Sequence, residues 1–402
     1  MAMRYPGGVI PTAPVPSGPY ENSTASGVWS LESQLRFKAA GNWPTAGNVA
    51  QALWSWGGNG SGQLGLNNGY GKSSPVQVGA LTNWSQIAGG RYNSVAIKTD
   101  GTLWSWGANT NGQLGLNNRV NCSSPVQVGA LTTWSQITGG RDNSLAIKTD
   151  GTLWAWGLNR YGQLGLNDLV DRSSPVQIGA LTTWSKITGG RDHSVAIKTD
   201  GTLWSWGLNA SGQLGQNNRT YFSSPVQVGA LTTWTQVSAG LYHSVAIKTD
   251  GTLWSWGDNS FGQLGQNDVV RRSSPVQVGA LTTWSQIAAG GNNSLAIKTD
   301  GTLWAWGRNF GGSLGLNNIA DCSSPVQVGA LTTWSKIGAG NNFSLAIKTD
   351  GTLWSWGQNA AGQLGLNDSG IYRSSPVQVG ALTTWIKVAK LTGANFSLAI
   401  KS

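Results

Sequence analysis

Few residues of this chain combine the type and the spacing needed for chemistry. His193 and His243 stand fifty residues apart, each leading the run Ser-Val-Ala-Ile, with Asp192 beside the first. Imidazole nitrogens and a carboxylate can ligate zinc, but such histidines more often hydrogen-bond to backbone, so no metal is expected. The only glutamates, Glu21 and Glu32, lie before residue 51. Asp168, Asp268 and Asp368 follow Asn where other copies read Asn-Asn, and are expected to be turn residues. No spacing of Ser, His and Asp fits a nucleophile motif. The expectation is a non-enzymatic protein with no cofactor.

Recognition chemistry is better represented. Within a run that is otherwise copied, three successive residues change: Arg91-Tyr92-Asn93, Arg141-Asp142-Asn143, Arg191-Asp192-His193, Leu241-Tyr242-His243, Gly291-Asn292-Asn293 and Asn341-Asn342-Phe343. A second variable stretch supplies Arg160 and Tyr161 in one copy and Arg308 and Phe310 in another. Arginine offers a planar donor fork for carboxylate, phosphate or sugar hydroxyls, and aromatic rings offer stacking surfaces. Variable side chains on a rigid scaffold are where recognition is usually found, so these residues are read as a binding face.

The scaffold that must hold them is a repeat. Leu-Trp-Ser-Trp-Gly or Leu-Trp-Ala-Trp-Gly begins at Leu53 and recurs every fifty residues to Leu353, seven times in all. Each copy holds four short strand candidates, A to D. In the second they are 84–88, 94–98, 102–106 and 125–128, with the Asp-Gly of Lys-Thr-Asp-Gly-Thr as the B–C hairpin turn. Pro125 is expected to open strand D, at an outer edge where a missing donor is tolerated. The first copy begins with strand C and the last ends with A and B, so the two fragments complete one blade and close a ring. The fold class is therefore all-β: a seven-bladed propeller over residues 51–402, preceded by an arm over residues 1–50. In such a meander the A–B and C–D connections emerge on one face, and both vary. The B–C and D–A connections, on the other face, are nearly invariant.

Paired tryptophans two apart, such as Trp104 and Trp106, point to one face of strand C with a small residue between them, a pattern suited to interdigitating blades. The net charge of +10 could suggest nucleic acid, but its surplus is spread among the arm, Lys186, Lys336, Lys387, Lys390, Lys401 and the variable loops. A stripe would be expected of a nucleic-acid binder. Cys122 and Cys322 occupy equivalent places four repeats apart and are expected to be free thiols. No segment is apolar over a membrane-spanning length, and no signal-peptide core is evident near the start.

The motif Trp-Gly-x-Asn-x-x-Gly-Gln-Leu-Gly (Trp106 to Gly115), the following Pro-Val, Gly-x-x-[His/Asn]-Ser-x-Ala-Ile (Gly140 to Ile147) and Asp-Gly-Thr-Leu-Trp resemble the regulator-of-chromosome-condensation repeat. The resemblance covers about residues 51–402 and implies a seven-bladed propeller. The family's eukaryotic founder is a nucleotide-exchange factor that binds chromatin, and the repeat also occurs in bacterial, viral and multidomain proteins. The frequent family histidine remains only at His193 and His243, and the family glutamine is replaced by Ser313.

In the arm, Pro and Gly fill 6–19, and a short helix is expected over 31–40 with Ser30 as N-cap and Gly41 as C-cap. Its surroundings, Gly-Val-Trp-Ser-Leu and Gly-Asn-Trp-Pro, resemble segments of structural and tail-associated proteins of marine bacteriophages. That resemblance implies a virion protein docked through Trp29, Leu31, Leu35, Phe37 and Trp43 onto other virion proteins or sister subunits. The variable face would then meet a host-surface glycan or protein, or a neighbouring virion protein. The alternatives are a cytoplasmic regulator that binds a small GTPase or chromatin, and a lectin-like propeller.

Overall fold

The computed structural model describes residues 50–402 and two short strands, Arg4–Tyr5 and Gly8–Val9, which pair antiparallel. The chain divides at Ala50/Gln51 into two units. The arm residues Trp29, Leu31, Leu35, Phe37 and Trp43 and the helix expected over 31–40 lie outside the described residues.

Residues 51–402 form seven four-stranded antiparallel blades. In blade 2 the strands are Trp84–Gly89 (A), Asn93–Lys98 (B), Leu103–Gly107 (C) and Cys122–Gln127 (D). Blades 3 to 7 repeat this order from Trp134, Trp184, Trp234, Trp284 and Trp334. Blade 1 is shared by the two ends: Trp385–Val388 and Phe396–Lys401 supply A and B, Ala52–Gly57 and Lys72–Gln77 supply C and D. Strand A is innermost and strand D outermost. Strand D starts three residues earlier than its sequence suggested. Pro125 is its fourth residue and sits in a bulge, because pairing jumps from Ser105–Val126 to Gly107–Cys122 and leaves the proline without a cross-strand partner.

The invariant residues build each blade and join it to the next. At the B–C turn the Asp100 carboxylate accepts hydrogen bonds from the Thr102 amide (2.9 Å) and hydroxyl (2.6 Å), and the Thr102 hydroxyl accepts one from the Trp104 indole (2.9 Å). Lys98 then lies 3.6 Å from the centre of the Trp104 ring, in cation–π range, and burial lowers its pKa against the raising charge of Asp100. In the C–D loop, Asn109 fastens both ends: its Oδ1 accepts from Leu114 N–H (3.0 Å) and its Nδ2 donates to Asn118 O (3.0 Å). The Gln113 carbonyl of the same loop then accepts from the Trp156 indole (2.9 Å) and the Ser144 hydroxyl (3.1 Å) of the following blade. Gly115, at φ +72°, lets this loop lie on the same indole, since a Cβ there would sit 2.9 Å from Trp156 Nε1.

Ser313 preserves that joint because the bond uses the backbone: its carbonyl still accepts from the Trp356 indole (3.0 Å) and the Ser344 hydroxyl (2.9 Å). What it lacks is the glutamine Oε1 that elsewhere holds an amide two residues back, as Gln113 holds Asn111 (2.9 Å). There the chain forms a 3-10 turn, Phe310–Gly312. The ring closes by the same joint, with the Trp56 indole donating to Gln363 O (2.9 Å). Cys122 and Cys322 are free thiols, as expected.

Candidate functional site

The A–B turns surround the channel mouth on the variable face. The first residue of each triplet is tied backbone to backbone to the next turn: Arg91 N–H to Arg141 O (2.9 Å), Arg141 to Gly190 (3.3 Å), Arg191 to Leu241 (3.3 Å), Leu241 to Gly291 (3.1 Å), Gly291 to Gly340 (3.0 Å) and Asn341 to Ala394 (3.1 Å). Side chains at these positions can change freely because main-chain atoms make the ring.

The third residue of each triplet is not on the face. Strand C continues to its glycine, so strand B begins one residue earlier than expected. Asn93, Asn143, His193, His243, Asn293 and Phe343 are its first residues, all buried. Each lies over the glycine that opens its own A–B turn; a Cβ on Gly190 would be 2.4 Å from His193 Nδ1, and one on Gly340 would be 2.0 Å from the Phe343 ring. These six are packing residues between blades.

The two histidines share one arrangement. His193 Nε2 is 3.2 Å from the Ser244 hydroxyl, and His243 Nε2 is 3.0 Å from that of Ser294. Each hydroxyl gives its own proton to a carbonyl, Gln213 O or Gln263 O, at 3.0 Å, so each Nε2 must be the donor. Burial holds both rings neutral, with pKa values of about 3 for His193 and about 4 for His243. Among the described residues no group of three or more His, Cys, Asp or Glu side chains is placed to hold a metal.

The remaining site residues fall into distinct neighbourhoods. On blades 2 to 4, Arg91, Arg141, Arg160 and Arg191 surround Asp142 and Asp192. Arg141 Nε lies 3.3 Å from Asp142 Oδ2, and Arg191 Nε lies 3.1 Å from Asp192 Oδ2. Burial pushes both carboxyl pKa values up; for Asp142, Arg141 is the strongest of the four guanidiniums that pull the other way, and for Asp192 it is Arg191. Two rings flank the group, with Arg91 4.7 Å from the Tyr92 centroid and Arg191 5.0 Å from that of Tyr242. Farther out, Tyr161 packs edge-on against Tyr221 (5.7 Å). Arg308 sits between Phe261 (4.6 Å) and Phe310 (5.2 Å), and Phe310 meets Tyr372 (6.2 Å). The turns carrying Leu241, Asn292 and Asn342 hold no charged side chain of their own; beside them Asp258, whose amide donates to Tyr242 O (2.9 Å), pairs with Arg271 (2.7 Å), and Asn342 donates to Gln358 Oε1 (3.0 Å).

Sequence reasoning missed the segment that closes the channel mouth. Ser397 follows Trp385 by two residues more than Ser94 follows Trp84. In the structure Lys390–Leu391 pairs in parallel with the innermost strand of blade 2. Thr392 donates its amide to Gly89 O (3.0 Å), and its hydroxyl lies 3.0 Å from both Gly139 O and Gly189 O. Leu391, Thr392 and Ala394 are buried. Counting the spacing would have revealed the insertion, though not its path.

The molecule is thus a closed seven-bladed propeller with one copied face and one face of varied polar and aromatic side chains. The regulator of chromosome condensation (RCC1) repeat matches residues 52–97, 100–147, 150–197, 200–247, 250–297, 300–347 and 350–400, and the chain belongs to that family. A second RCC1 repeat description matches six segments between residues 84 and 363. No curated protein matches the chain. Among solved structures it is similar to human WBSCR16 (TM-score 0.79, 22% identity, 88% of this chain and 99% of that one). It is similar to yeast RCC1 (Prp20) bound to Kap60 (0.78, 22%, 88% and 89%). It is also similar to Prp20p from Saccharomyces cerevisiae, described with its binding to Gsp1p and histones (0.77, 22%, 88% and 92%). These likenesses establish the fold. No helix among the described residues is long and apolar enough to cross a membrane.

Proposed function

We propose that the chain is a non-catalytic binding module that recognises an acidic segment of a protein partner through blades 2 to 4 of its variable face. The observation that carries this reading is the arginine group: four guanidiniums around two carboxylates, an excess of two positive charges, with Tyr92 and Tyr242 beside it. Arginine forks suit carboxylates, and desolvated arginine and tyrosine side chains carry much of the energy at protein interfaces. The solved relatives accord with a protein partner, since Prp20p is described with Gsp1p, histones and Kap60. A small GTPase or a histone-like assembly in a cellular setting fits this reading better than a virion. The virion reading rests on arm residues outside the described structure, and no relative supports it.

The test compares proteins retained from a source-cell extract by the full chain, by an Arg91→Gln/Arg141→Gln/Arg191→Gln variant and by an Asn292→Ala/Asn342→Ala control. A protein with an acidic segment should be kept by the first and third and lost by the second. Retention indifferent to the arginines would count against the proposal. Saturable binding of envelope polysaccharide by the chain would instead favour the lectin-like alternative.

A further inference from the structure

Four of the lysines that look scattered in the sequence lie around one axis. Lys186, Lys336 and Lys387 occupy the third position of the innermost strands of blades 4, 7 and 1, and Lys390 follows the last of these strands. In a ring of seven, blade 4 lies opposite the junction of blades 7 and 1. Lys186 therefore faces the Lys336–Lys387 pair across the channel. No innermost strand carries an acidic residue.

The channel is a blind well. In every blade the residue that follows the strand A tryptophan and the one after it keep exposed surface and the fifth position is buried, as is the sixth in blades 2 to 7; the segment from Ala389 to Thr392 closes that buried end. The well opens toward the invariant face. Against blades 3 to 5 it holds a cavity of about 530 Å3, lined by Gln136, Lys186, Ile187, Thr235, Gln236 and Val237.

The lysines are not needed for the strand-to-strand contact made at this position. Gln136 and Gln286 donate to Ser185 O and Ser335 O of the next blade at 2.7 Å, and Gln236 donates to Ser285 O at 2.6 Å. Lys387 does the same toward Ser85 O, yet an amide would serve as well. The cations add repulsion. Burial and the neighbouring Lys336 charge both lower the Lys387 pKa, and burial lowers that of Lys390 to about 7. An anion in the well would relieve both.

We propose that this well binds a small oligophosphate, held from opposite walls by Lys186 and by Lys336 with Lys387, above a floor that includes Lys390. Lysine acts on phosphate as a point charge and needs no fork geometry. The amide and hydroxyl groups of Gln136, Gln236 and Thr235 supply further hydrogen-bonding capacity at one wall. The closed floor prevents a polymer from threading through, so the ligand is a free small molecule.

The test is calorimetric titration of the full chain with inorganic triphosphate. Variants are Lys186→Gln/Lys336→Gln/Lys387→Gln and Arg91→Gln/Arg141→Gln/Arg191→Gln. The glutamines reproduce what four blades already carry, so the first variant should fold, as circular dichroism would verify. Saturable binding of one triphosphate per chain is expected, weakened about tenfold or more by the lysine changes and within about twofold of wild type in the arginine variant. Citrate should bind more weakly, and a single-stranded oligonucleotide should not displace triphosphate. Absence of saturable binding, equal loss in both variants, or displacement by the oligonucleotide would overturn the proposal. Because the arginine face is on the opposite side, either idea can fail without the other.

Discussion

The two kinds of tryptophan should differ in what they contribute. Trp156 is fully buried on strand C, its indole N–H donates to Gln113 O at 2.9 Å, and its ring meets Trp134 at 6.2 Å. Trp134 begins an innermost strand and is also buried, but its indole N–H has no partner, and the same holds for Trp84, Trp184, Trp234, Trp284, Trp334 and Trp385. Trp156→Phe removes a hydrogen bond worth about 1 kcal/mol. The Gln113 carbonyl keeps the Ser144 hydroxyl at 3.1 Å, so no acceptor is orphaned. It also leaves a hole of roughly 40 Å3, which at about 24 cal/mol per Å3 costs another ~1 kcal/mol, and weakens one edge contact by up to about 1 kcal/mol. The expected loss is about 2–3 kcal/mol. Trp134→Phe leaves a similar hole and weakens two edge contacts, with Trp154 (5.9 Å) and Trp156 (6.2 Å), but removes an unsatisfied N–H whose burial costs about 1–3 kcal/mol, so its net loss should be about 1 kcal/mol, below that of Trp156→Phe. Guanidinium unfolding followed by far-ultraviolet circular dichroism measures both, read as midpoint shifts at constant slope. If Trp134→Phe destabilises as much as Trp156→Phe, the assignment of the inter-blade bond as the stabilising element is wrong.

Three further outcomes follow from burial and backbone geometry. His193 and His243 have folded pKa values of about 3 and about 4, below the ordinary 6.5; their contribution is complete above pH 6.5 and falls as pH drops, by about 1.4 kcal/mol per unit for each ring, so His193→Asn/His243→Asn should show a shallower loss between pH 6.5 and 4 than wild type in the same titration. Lys390 has a folded pKa of about 7 against 10.5 unfolded, so the unfolded chain holds its proton over a range where the folded one gives it up. Its contribution improves from pH 7 to 10.5 and is least favourable below 7, so Lys390→Met should raise the unfolding midpoint more at pH 7 than at about pH 10; a shift of the same size at both pH values would contradict a lowered pKa. Gly115→Ala places a Cβ 2.9 Å from Trp156 Nε1 at φ +72°, whereas Gly129→Ala, at φ +63°, meets nothing within 4 Å. The second should cost about 1–2 kcal/mol for the left-handed backbone alone and the first at least about 1 kcal/mol more for the clash, both by the same unfolding assay.

The sequence made the blades legible because the period, the Asp-Gly turn and the truncated first and last copies each constrain the ring independently. It misplaced strand D because Pro125 looked like a strand opener, and only the bulge against Trp106 shows how a proline sits fourth in an edge strand. It placed Asn93, Asn143, His193, His243, Asn293 and Phe343 on a surface because their variation resembled that of a loop. Their burial follows from Gly107 and its copies extending strand C by one residue. The lysines of the well could not be grouped from sequence, since the four are separated by up to 204 positions (390 minus 186) and share an axis only once strand A is known to be innermost.

The central claim, that recognition belongs to the varied face, is tested most directly by hydrogen–deuterium exchange of the chain with and without a partner retained in an arginine-dependent manner. Protection is expected in the A–B turns at 90–92, 140–142 and 190–192, with the D–A connections around Leu131 and Leu181 on the opposite face unchanged. Protection of those D–A connections, with the turns unaffected, would contradict the account.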